Sequence, residues 1–243
     1  TINNTSSQPY DGQAGTVSAV LAGSAGLTKT GSGTLELTAA NTYTGPTTVL
    51  AGNLLIDGAL TSDVTVTGGL LGGNGKIVGN VDVQLGGTLS SGHSPGTLTI
   101  TGNYTQTGGT LLVELAGYQQ GGTGETPGGP WTANGYDWVS VGGSAVLDGY
   151  LQIELLAGFL PQLGDTFNVL TATGGITDLG LTLQWDASDY PPAYYWTYQI
   201  IDGQGDEQIL QLLMSAPEPG TLALALLGLA ALGAYAPLRR RKG

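Results

Sequence analysis

Cysteine is absent from the 243 residues, so no disulfide staples the fold and no thiolate is available to hold zinc. Only a tenth of the residues are charged, and there is a single histidine. Basic side chains are scarcest. Of the six, four are the consecutive Arg239, Arg240, Arg241 and Lys242, which leaves Lys29 and Lys76 against eighteen acids in the rest of the chain. An acidic body of this kind repels phosphate backbones and releases no counterions, which excludes nucleic acid as an expected partner. It suits solubility outside a cell and weak divalent-cation association. Residues 1–11 also lack the basic start and apolar run of a signal peptide, so the numbering is read as starting after a cleavage or within a longer protein.

What the chain has instead is forty-three glycines among abundant Thr, Leu and Val, a balance that predicts many short strands joined by tight turns and no long soluble helix. One phrase returns at intervals of about twenty residues, a spacing expected of solenoid coils. It reads Gly33-Thr34-Leu35-Glu36-Leu37, Gly52-Asn53-Leu54-Leu55-Ile56, Gly69-Leu70-Leu71, Gly87-Thr88-Leu89 and Gly109-Thr110-Leu111-Leu112-Val113. Alternation points Leu35 with Leu37, and Leu111 with Val113, to one side, which makes them core candidates. One coil cannot bury that side alone, whereas stacked coils bury it against their neighbours. A parallel β-helix is therefore the preferred architecture, with an antiparallel sandwich as the alternative.

The stretch from Gly26-Leu27-Thr28-Lys29-Thr30-Gly31 through Asn41-Thr42-Tyr43-Thr44-Gly45 and Thr47-Thr48-Val49 resembles the autotransporter-associated β-strand repeat. Gly79-Asn80-Val81 and Ser94-Pro95-Gly96-Thr97-Leu98 resemble the sequence that usually follows it. The resemblance implies a mainly β chain wound as a right-handed parallel β-helix, a scaffold with no particular activity attached. Nothing after Leu115 reads as the membrane barrel of autotransporters, so secretion by another route is expected.

Residues 117–135 are rich in Gly, Gln, Thr and Pro without apolar period and read as a loop between a first β-helical region, 1–116, and a continued solenoid with a β-rich cap, 136–215. Gly149-Tyr150-Leu151-Gln152-Ile153-Glu154-Leu155 repeats the spacing of residues 109–115, so the loop interrupts the coils without ending them. The late strands concentrate aromatics, including Trp185, Tyr190, Tyr194, Tyr195, Trp196 and Tyr198. Their first expected role is to cover the last coil, since open coil ends offer unpaired edges for self-association. Their second is stacking on sugar rings, with Trp185, Tyr194, Tyr195 and Trp196 as candidate glycan contacts.

Residues 216–243 form a tail. Pro217, Glu218 and Pro219 force an extended segment, residues 222–238 are almost unbroken Leu, Ala and Gly, and Arg239, Arg240, Arg241 and Lys242 close the chain. Such a run predicts a short membrane-spanning helix whose basic end stays on the cytoplasmic side. The order of these three parts resembles the PEP-CTERM sorting signal of bacterial exopolysaccharide-associated proteins. That resemblance implies recognition of Pro217, Glu218 and Pro219 by an exosortase, transient anchoring in the inner membrane, and export to the cell surface or extracellular matrix.

Catalysis is not expected. His93 lies in a turn-rich segment beside Ser91 and Ser94, and adjacency in sequence supplies no triad geometry. A β-helical lyase resembling pectate lyases would want an arginine base, yet every arginine lies in the tail. Hydrolysis would want paired carboxylates, and Asp57, Asp63 and Asp82 occupy different places in their coils. Gly72-Gly73-Asn74-Gly75-Lys76-Ile77 resembles the nonapeptide of calcium-binding β-rolls, but Lys76 stands where that motif needs Asp, so neither a metal site nor a cofactor is expected. The reading is a noncatalytic exported scaffold associated with exopolysaccharide. The alternatives are a carbohydrate-binding adhesin and, third, a polysaccharide-degrading enzyme.

Overall fold

In the computed structural model, residues 1–93, 95–121, 135–189 and 194–216 are described. They are mostly β and solenoid-like, arranged in three long sheets that the chain visits in turn. The first sheet stacks Tyr10–Gly12, Leu27–Lys29, Thr47–Val49, Val64–Val66, Val81–Gln84, Tyr104–Thr107, Ala145–Leu147 and Ile176–Asp178. The second stacks Gly15–Val17, Thr34–Leu37, Asn53–Ile56, Gly69–Gly72, Gly87–Ser90 and Gly109–Leu115. Gly149–Leu155 and Thr182–Trp185 extend it. The third begins with Ala40–Asn41 and runs through Ala59–Leu60, Lys76–Ile77, Thr97–Ile100 and Trp138–Val141 to Thr166–Ala172. Each of these rungs pairs in parallel with the one a coil away, so the antiparallel alternative fails between Gly33 and Val113.

The register aligns like with like. Leu35, Leu54, Leu71, Leu89, Leu111, Leu151 and Leu183 are successive partners up the second sheet, and all but Leu183 are buried. Valines do the same in the first sheet, where Val49, Val66 and Val83 are fully buried partners. Burying each such side chain is worth about 1.5–3 kcal/mol, and the ladder forms one contiguous core. Outward positions mix polar residues such as Thr34, Glu36 and Asn53 with the half-buried Leu55, and the period-two alternation separates them from the fully buried core.

The corners are set by close approach. Gly69 has φ +75°, and a Cβ there would lie 2.2 Å from the Gly52 carbonyl oxygen. Only a residue without a side chain fits both constraints. At another corner a polar ladder replaces side-chain packing. The Asn80 N–H donates to Asp63 at 2.7 Å, Asn103 N–H to Asn80 at 2.9 Å, and Ser144 N–H to Asn103 at 3.0 Å.

Gly109 to Leu115 pairs residue for residue with Gly149 to Leu155, so the coils resume in the register their spacing predicts, while Gln119–Gln120, within the expected loop, pairs in parallel with Gly135–Tyr136. The solenoid then changes hand of pairing. Gln208–Ser215 runs antiparallel to Thr166–Ala172, and Tyr195–Asp202 antiparallel to Gln208–Ser215. The last strands are thus an antiparallel extension of the third sheet rather than further coils. Among the described residues no helix is long and apolar enough to cross a membrane, and the predicted span 222–238 lies outside them.

Candidate functional site

The second sheet carries a cleft on its last two rungs. Leu151 and Ile153 point into the core, so Gln152 and Glu154 between them point out. The next rung places Gln184 beside Gln152, and Trp185 beside Ile153. Together with Leu155, Asp186 and Ala187 these residues line a cavity of about 710 Å³. Its wall combines two carboxamides, two carboxylates and an indole edge. The indole of Trp185 packs partly against the core, and its buried Nε1–H has no partner within the protein. Amides that donate and accept, carboxylates that accept and an aromatic wall are together suited to polyhydroxylated ligands.

The four candidate glycan contacts do not share this surface. Trp185 lines the cleft. Tyr194 packs partly buried against the core, and Tyr195 is exposed. Trp196 is 2% exposed, with its ring 5.8 Å from that of Phe167. It packs into the interior of the antiparallel strands, which agrees with the first of its two expected roles, covering the last coil, and leaves little of its ring for the second, stacking on a sugar. Tyr198 also turns inward, donating to Asp178 at 2.6 Å and to the Leu181 carbonyl at 3.1 Å. Burial and the Asp178 charge push its hydroxyl pKa up to about 12. Gln152, Glu154 and Gln184 were not singled out from sequence, because only the pairing of rungs 32 residues apart puts them together.

A second polar group lies next to the Gly135–Tyr136 strand. Asp137 is 1% exposed and accepts the N–H of Gly96 at 2.8 Å and of Glu114 at 3.0 Å. Burial, and then the neighbouring Glu114 charge, hold its carboxyl well above the usual range despite those bonds. Among the described residues His93 is hydrogen-bonded to a carboxylate and to no serine hydroxyl. Its Nε2 lies 2.8 and 2.9 Å from the two oxygens of Asp57. Asp63 instead accepts from Asn80 at a corner, and Asp82 from Gln84 within the strand Val81–Gln84. The sorting-signal residues Pro217, Glu218 and Pro219, and the basic Arg239, Arg240, Arg241 and Lys242, lie outside the described residues.

The repeating coils match the Passenger-associated-transport-repeat family over residues 27–56 and 94–113. Residues 215–242 match the PEP-CTERM protein-sorting motif. The chain carries passenger-associated-transport repeats and a PEP-CTERM sorting motif. It is 35% identical over 187 residues to the adhesin BmaC autotransporter of Brucella suis biovar 1 (strain 1330), an alignment that covers 74% of this chain and 5% of that protein. It is 43% identical over 81 residues to an extracellular serine protease of Serratia marcescens, covering 33% of this chain and 8% of that protein. The chain therefore spans a small fraction of both relatives. The sorting motif and the adhesin-like repeats support export to the cell surface, and the motif implies processing by an exosortase during export.

Proposed function

We propose that this chain is a noncatalytic surface or matrix scaffold, a right-handed β-helical rod that holds extracellular polysaccharide in the cleft around Trp185. The handedness follows from the strong preference of parallel crossovers. The single observation that carries the ligand is the cleft itself, where Gln152 and Gln184 stand side by side and share its wall with Glu154, Trp185 and Asp186. Retention of exopolysaccharide from the producing cells, measured by co-sedimentation with the full chain, is expected to fall at least about tenfold in Trp185→Ala and in Gln152→Ala/Gln184→Ala. Equal retention by the variants removes the cleft as the ligand site. Release of reducing ends from the same polysaccharide by the wild-type chain, lost in Glu154→Gln, would replace the scaffold with an enzyme. A second reading, a carbohydrate-binding adhesin, is favoured by the likeness to the Brucella adhesin. It shares the cleft and differs in that the glycan belongs to another cell.

In this proposal the tail acts before the rod does. Residues 222–238 anchor the chain transiently in the inner membrane, and an exosortase reading Pro217, Glu218 and Pro219 removes them. Intact mass of the protein recovered from its native cells is expected to lack everything beyond that motif, and a mass that includes Arg239 to Lys242 would refute the processing step.

A further inference from the structure

His93, Asp57 and Glu36 come from three different coils and meet on the outer face of the second sheet. Glu36 points outward from Thr34–Leu37, since Leu35 and Leu37 on either side are buried. Asp57 follows Asn53–Ile56 in the next coil, its N–H bonded to the Leu37 carbonyl at 3.0 Å. His93 belongs two coils further on. It reaches Asp57 because the intervening coil is Gly72 and Gly73 at this level, and Gly73 bridges Gly92 directly through two backbone hydrogen bonds of 3.2 and 2.9 Å. A side chain at Gly73 would collide with the backbone of Ile56, so the gap that admits the imidazole is built into the stacking. One oxygen or nitrogen from each of the three residues lies within 4.8 Å of the other two.

Both carboxylates are held from behind. Thr16 Oγ1 donates to Glu36 at 2.9 Å, and the Asn74 N–H donates to Asp57 Oδ1 at 3.0 Å. Among the described residues the one ion pair is His93 with Asp57, so no lysine neutralises this pair of acids. His93 and Asp57 remain about one-fifth exposed, which leaves room for water to complete a coordination sphere.

We propose that Glu36, Asp57 and His93 form a binding site for a borderline divalent cation of the Zn²⁺ class. One imidazole nitrogen with two carboxylate oxygens is a ligand set that zinc accepts, whereas calcium takes six to eight oxygens. Ligand atoms of a tetrahedral zinc centre stand on the order of 3.3 Å apart, so separations bounded by 4.8 Å close by at most about 1.5 Å. Zn²⁺ takes the Nε2 lone pair of a neutral imidazole that carries its hydrogen on Nδ1, so the Nε2–Asp57 hydrogen bond is exchanged for two metal–ligand bonds. The bound ion ties three coils together across a fourth.

Isothermal titration of the metal-free full chain with zinc chloride at neutral pH tests the site. The expected result is one ion per chain, unaffected by excess magnesium, with a rise in melting temperature. His93→Ala, Asp57→Asn and Glu36→Gln are each expected to weaken binding at least about tenfold and to abolish that rise, while Asp148→Asn leaves both intact. Circular dichroism without metal establishes that each variant is folded. If zinc heat and thermal shift persist undiminished in His93→Ala and Asp57→Asn, or if millimolar zinc gives neither, the site does not exist.

Discussion

At the scale of single residues, the core is a stack of equivalents, and that makes its defects predictable. Leu71 is fully buried between its partners Leu54 and Leu89. Leu71→Ala leaves a void that both neighbours border, and is expected to cost about 2–5 kcal/mol in urea unfolding. Asp137 behaves differently, because its contribution depends on pH. Its folded pKa is raised by burial and by Glu114, so the native state binds a proton more readily than the unfolded chain. Stability from this group is therefore full below about 3.9 and is lost as pH rises through the raised folded value. Thermal unfolding of Asp137→Asn is expected to show a flatter pH profile across that window, with the cost of one buried N–H group losing its acceptor seen most clearly at low pH, where Asp137 carries no charge penalty. An unchanged slope would assign the pH dependence elsewhere. The apolar members of this core were legible in the sequence, since Leu35, Leu37, Leu111 and Val113 follow a period of two. The charged ones were not. Whether Glu114 faces in or out depends on the chain folding back at Tyr136, which pairs antiparallel to Leu115 and which no local pattern announces.

Among elements, the turns do as much as the strands to fix the coil. Gly69 and Gly158 share a positive φ, but a Cβ at Gly69 would press on the Gly52 carbonyl while one at Gly158 meets nothing within 4 Å. Gly158→Ala should therefore lose only the conformational cost, about 1 kcal/mol, and Gly69→Ala that cost plus a backbone collision, on the order of 3 kcal/mol or more. Similar losses at the two positions would mean that the coils are not in such close contact. The parallel coils could be read from repetition because each phrase carries its own turn and its own buried pair. The acidic, glycine-bearing turn from Asp202 to Glu207 reads as a hairpin and is one, closed by the Gly203 N–H to Glu207 carbonyl bond, but the antiparallel pairing of Gln208–Ser215 with Thr166–Ala172 could not be read. Alternation in Tyr195–Asp202 is the same for a coil and for a cap, so Trp196 looked as available to a ligand as Trp185. Depth is decided by what lies beneath, and beneath Trp196 lies Phe167. The same limit hid the zinc site: Asp57 and His93 are 36 residues apart, and their meeting requires a glycine coil between them.

For the molecule as a whole, stability is a sum over coils and the interfaces between neighbours, because each rung touches chiefly the rungs above and below. Such a structure can be lengthened. Leu70 pairs with Thr88 in the next coil, so residues 70–87 make one complete turn of the solenoid. A tandem copy of that segment inserted after Gly87 presents the same leucine, valine and glycine positions to both neighbours, and the added interface offsets the entropy of ordering it. The insert is expected to fold in register and to move two spin labels, placed at exposed positions on either side, apart by about 4.8 Å along the rod. Its urea m-value should rise with the surface added. The inserted copy also separates the glycine coil from its original setting, with Gly72 and Gly73 now present twice between Asp57 and His93. Zinc binding by the lengthened chain should accordingly collapse while the fold survives, so one variant separates additive stacking from the convergence of three side chains. A chain that lengthens and still binds zinc with full affinity would place the metal on other ligands, and one that fails to fold would show that the coils are not interchangeable units.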